Sequence, residues 1–119
     1  TEKNLLASEL RQVKQQIIDT RSELQAVHKS FDLVKQEEEI MKPMVERGYE
    51  PKLKLIQLKQ KIEDTLSKKD RLYNELDLLD LKVNEVQERE ASIIATFFEQ
   101  LAVDVETYST KLNRSTNEL

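Results

Sequence analysis

The chain has no cysteine and no tryptophan, a single glycine, and only two prolines in 119 residues. Without cysteine there are no disulfides and no thiolate metal sites. Three Phe, three Tyr and no Trp give too little bulk for a wide core, so burial is expected along a narrow seam of an elongated molecule. No run of about 18 apolar residues exists, which excludes a helix that crosses a bilayer. No charged start followed by an apolar core marks a signal peptide, so any membrane anchor is expected outside these residues. Catalytic chemistry is equally sparse. There is no Gly-rich phosphate loop, no nucleophile elbow and no ligand pair at metal-binding spacing. The only histidine, His28, adjoins a seam position and reads as a solvated helix residue. The expectation is a non-enzyme with no cofactor and no metal.

Charged residues make up 35% of the chain, and the rest is rich in Leu, Gln and Val, the composition of long helices. Residues 52–71 carry seven Lys/Arg against three Asp/Glu, and residues 72–106 carry two against nine. The basic run from Lys52 to Arg71 reads as a solvated face pairing with acids on a neighbouring helix. A lipid-surface or nucleic-acid binder would use the same run, but a pI of about 5.2 argues against nucleic acid. The triplet Glu37, Glu38, Glu39 reads as a solvated cluster rather than a metal site, with Lys42, Lys59 or Lys61 compensating.

Apolar spacing sets the fold. Leu6, Leu10, Val13, Ile17, Thr20, Leu24, Val27, Phe31, Val34, Glu38, Met41 and Val45 alternate by four and three residues, and only Thr20 and Glu38 interrupt the stripe. A sustained repeat of about 3.5 residues holds one apolar line on a supercoiling helix. The same alternation resumes at Leu55, Leu58, Ile62, Thr65, Lys69, Leu72, Leu76, Leu79, Val83, Val86, Glu90, Ile93 and Phe97. Past Ile93 the spacing becomes four, four, four through Phe97, Leu101 and Val105, a stutter that locally relaxes the supercoil. The fold class is therefore all-α: a long antiparallel two-helix coiled-coil hairpin whose second helix is the longer. The expected organisation is one hairpin domain, with helix one over about 2–43, a tip over 44–50 and helix two over about 51–117, as a fragment of a larger protein. Folding back at Gly48 makes the numbers of facing residues sum to about 96–98 and sets Leu24 near Leu72. Helix one then runs out opposite about residue 96, and residues 97–119 have no partner within the chain, so either a missing upstream helix completes the hairpin or the stem associates with another copy.

All the helix breakers stand in PMVERGYEP, Pro43 to Pro51. Pro43 is expected to end or kink helix one, Gly48 to reverse the chain with a positive φ, and Glu50 followed by Pro51 to start helix two. Met44, Val45 and Tyr49 are left as apolar residues at the end of a rod, with Val45 read as a plug of the seam.

The stretch from Pro43 through Met44, Val45, Gly48, Tyr49 and Leu53 to Leu55 and Leu58 resembles the hairpin tip of the periplasmic membrane fusion proteins of type I secretion, the HlyD-like adaptors. The likeness extends more loosely through ATFFEQLAVDVETYSTKLNR. The resemblance implies an adaptor that bridges an inner-membrane ABC transporter and a TolC-like outer-membrane channel for protein export. It also implies a periplasmic hairpin, a full-length protein anchored in the inner membrane, and several copies associating into a tube or coiled-coil oligomer. The pI and the lack of a long apolar run set the expectation of no nucleic acid and no direct membrane insertion by these residues. Drug-efflux relatives engage the channel through an Arg, a Leu and a Ser, which fall here on Ile40, Met44 and Pro51, with Arg47 as the nearby positive charge. The tip residues it points to are Ile40, Met44, Val45, Arg47, Gly48, Tyr49 and Pro51. The rival expectation is a structural coiled-coil tether or scaffold with a passive turn.

Overall fold

A computed structural model describes residues 1–118. It consists of two helices, α1 over Glu2–Glu46 and α2 over Lys52–Glu118, folded back on one another. The molecule measures 108 × 16 × 15 Å. At about 1.5 Å per residue the 67 residues of α2 account for nearly all of that length, and the shorter α1 covers only part of it.

The seam is the apolar stripe of each helix. All twelve stripe positions of α1 are buried or half-buried, as are twelve of the thirteen on α2; the exception is Phe97, 63% exposed. Leu24, Val27 and Leu72 form a cluster that Leu76 packs against, and Val86, with no exposed surface, is the most completely buried side chain. With the repeat written abcdefg and the seam at a and d, Leu24 is an a residue level with the d residue Leu72. Flanking pairs confirm the antiparallel sense: Arg89 and Glu9, both g, approach to 3.3 Å, and His28 and Tyr73, both e, to 3.2 Å. Like flanks meet in this way only when the helices run in opposite directions.

Several polar interruptions of the stripe have a local answer. Thr20, 5% exposed, is the buried polar residue among those described. The hydroxyl of Thr65 donates to the Lys61 carbonyl at 2.8 Å. Lys69 lays its stem along the seam and holds its ammonium 5.9 Å from the centre of the Phe31 ring, a cation–π arrangement that lets a lysine occupy a seam position. The half-buried Glu38 pairs with Lys35 on its own helix at 3.8 Å, not with Lys42, Lys59 or Lys61. His28 is not simply solvated, since it meets Tyr73 edge to face with ring centres 6.2 Å apart as well as through its hydrogen bond.

Helix α1 runs three residues past Pro43, further than the sequence suggests. Pro43 lacks only its own N–H, and its carbonyl still accepts from Arg47 at 3.0 Å. The loss is one hydrogen bond in the last turn, where the bonds that close the helix beyond it compensate.

Candidate partner-binding tip

Helix α1 closes with a Schellman motif. Arg47 remains in the right-handed region (φ −84, ψ −3), and Gly48 then turns to φ +79, the only positive φ among the described residues. The Tyr49 N–H donates to the Met44 carbonyl at 2.9 Å and the Gly48 N–H to the Val45 carbonyl at 3.0 Å. These are the crossed 6→1 and 5→2 bonds that satisfy the last carbonyls of a helix. The Glu50 N–H also reaches Met44, at 3.4 Å. Only glycine enters this backbone conformation without a Cβ penalty, so the reversal is tied to position 48.

Pro51 stands just before the first helical residue rather than at it, and its carbonyl accepts from the Lys54 N–H at 3.1 Å. Glu50 directs its carboxylate to the Lys54 ammonium at 2.7 Å. That pair offsets the misplacement of Lys52 and Lys54 in the first turn of α2, where the helix dipole favours acids.

Seven residues were singled out from the sequence, and the structure sorts them. Val45 is half-buried at the end of the seam. Ile40, 65% exposed, and Tyr49, 74% exposed, project into solvent, and Met44 is partly exposed between them in sequence. Arg47, Gly48 and Pro51 are exposed backbone-shaping or polar residues of the turn. Two further large apolar side chains, Leu53 and Ile56, are exposed on the first turns of α2. Their signal in the sequence is that they are apolar but off the stripe that places Leu55 and Leu58 in the seam.

Lys42, Arg47, Lys52 and Lys54 face Glu46 and Glu50 around this end, and Glu37, Glu38 and Glu39 adjoin Ile40, so the apolar residues sit among charges of both signs. A groove of about 450 Å³ adjoins it, lined by Ile40, Met41 and Leu58 with Glu37, Lys54 and Lys61 beside them. Such a surface suits a partner that offers apolar side chains inside a polar rim. Among the described residues no group of three side chains is placed to hold a metal ion.

A family model described as AprE, long alpha-helical hairpin, matches residues 1–119. No curated protein and no solved structure matches the chain. The paired helices, the single glycine-closed reversal and a match along the whole sequence agree, and the chain belongs to the AprE long alpha-helical hairpin family, a domain of the HlyD-like type I secretion adaptors.

Proposed function

We propose that this hairpin docks by its tip onto a TolC-like outer-membrane channel, while the opposite end of the rod is directed toward an inner-membrane ABC transporter. Family membership gives the general role, a structural adaptor of type I secretion in the periplasm. The proposal adds the partners, the anchoring of the whole protein in the inner membrane, the hairpin as one domain of a larger protein, and a non-catalytic part in protein export. When docked, copies stand side by side with their tips at the channel.

The observation that carries the reading is the crowding of exposed Ile40, Met44, Tyr49, Leu53 and Ile56 around the one reversal of a rod 108 Å long. A passive turn is built from small polar residues, and five large apolar side chains at a water-facing end cost solubility unless something covers them. The stiff rod sets a distance, and its end supplies the contact.

Crosslinking or pulldown with the cognate channel tests this. Met44→Asp leaves the seam intact and puts a carboxylate in the apolar cluster, and capture is expected to fall about tenfold or more, as for loss of a central interface anchor. Gly48→Pro is incompatible with φ +79 and is expected to abolish capture by distorting the tip. Undiminished capture by both variants, with helicity by circular dichroism unchanged, would leave the passive-tether reading in its place.

A further inference from the structure

The basic run of α2 finds no acids on the opposite helix to pair with. Of its seven Lys and Arg residues only Lys54 makes an ion pair among the described residues, with Glu50 of its own turn; Lys61 and Lys68 make none. Both are g residues on one wall of an open groove of about 440 Å³ between the helices, in the paired part nearest the turn. Val27 and Val34 floor the groove, and its α1 wall carries Ala26, Leu33 and Glu37.

The far edge of α2 carries the opposite charge at the same spacing. Glu63 and Asp70, both b, are exposed, make no ion pair among the described residues, and lie two residues after Lys61 and Lys68. At 3.6 residues per turn, g and b stand about 140° apart, on opposite sides of the helix. Next to the b row runs an e row of Lys59, the half-buried Leu66 and Tyr73, 43% exposed.

These rows meet when a second copy stands beside the first in the same direction, at the same height and turned little from it. A neighbouring α2 laid in the groove then shows its b row to the first copy's α2 and its e row to the first copy's α1. Two residues amount to about 3 Å along the axis, so Glu63 and Asp70 come nearly level with Lys61 and Lys68. The sums of 96 and 98 that set levels within the hairpin hold between copies at one height, which brings Lys59 level with Glu37, Leu66 with the turn before Leu33, and Tyr73 beside Ala26. All three charged contacts join opposite signs, and the apolar ridge falls on the small and apolar residues of the groove.

We infer that neighbouring copies of this chain lock groove to ridge, the Lys61 and Lys68 row of one receiving the Glu63 and Asp70 row of the next. The contact is heterologous, so it repeats from copy to copy with every tip pointing the same way. It rests on the side-by-side standing of copies in the reading above, and not on contact with the channel.

Two measurements on the 119-residue chain at high concentration, without channel, test this. The chain has no cysteine, so Lys61→Cys and Glu63→Cys label the two faces separately. A short bis-maleimide is expected to join the two variants, when mixed, several-fold more than it joins either to itself. In sedimentation, Lys61→Glu combined with Lys68→Glu, or Glu63→Lys combined with Asp70→Lys, is expected to weaken association about tenfold or more with helicity unchanged. Mixing these two double variants restores it, because each then meets the opposite charge on both faces. A wild type that stays monomeric, mixed linking no greater than self-linking, or a mixture that associates no better than its components overturns the inference. None of these changes touches Met44, so capture by the channel fails or succeeds independently.

Discussion

Gly48 is the residue on which the hairpin turns, and the reason is backbone conformation rather than space. A Cβ added there would meet nothing within 4 Å, so the whole cost of Gly48→Ala is the strain of φ +79. That substitution is expected to lower stability by about 1–2 kcal/mol, seen as a fall in the thermal midpoint with the end-point helicity retained. The glycine was legible in the sequence because no other residue in the chain can take that role cheaply. The neighbouring prolines were read less well. Pro43 sits within the last turn of α1 and Pro51 one place before α2, since a proline forbids only its own hydrogen bond and the surrounding cap decides where the helix ends. Lys69 and His28 show the same limit: the sequence marks one as a break and the other as solvated, and only the opposite helix reveals Phe31 under the first and Tyr73 beside the second.

At the scale of the helices, stability follows the seam rather than side-chain size. Val86→Ala is expected to cost roughly 2 kcal/mol, from two lost methyl groups and the space they leave. Phe97→Ala removes far more atoms, but its ring lies edge to face with Phe98 and is 63% exposed. That change is expected to stay within about 0.5 kcal/mol, as for other surface substitutions. Denaturant unfolding of the two variants, followed by circular dichroism, checks the inversion of the size order. Heptad counting found the seam because burial here depends on one periodic line, and even Thr20 and Glu38 keep their places on it. It placed the end of pairing near the right level as well. The phase of the pattern beyond was harder to see, because Phe97 stands beside Phe98 and either can be taken as the next step. Ile93 is half-buried and Phe97 and Phe98 are both exposed, so the paired frame ends at Ile93.

For the whole molecule, the register predicts a gradient of protection. Helical amide hydrogens over about 13–45 and 56–90 lie in the two-helix part and exchange only when the helices part. Those over about 97–117 belong to an unaccompanied helix, whose stability rests on propensity and local pairs such as Gln100 with Asp104. Hydrogen exchange at low protein concentration is expected to show faster exchange in the second group. The tip chemistry was the least legible feature at this scale, since a sequence names apolar residues near a turn but not which of them the seam will cover. Val45 was covered, and Ile40, Tyr49, Leu53 and Ile56 were not.

The level at which α1 gives out has a mechanical meaning. Resistance to bending rises steeply with the thickness of a rod, so a pair of packed helices resists a sideways load far better than one alone. A push on the tip is carried rigidly along the paired length, and the stiffness beyond Ile93, where Thr96 draws its hydroxyl back onto the Ser92 carbonyl, depends on what packs against α2 there. Whatever steadies the lone helix there decides whether the hairpin behaves as a stiff strut or swings like an arm.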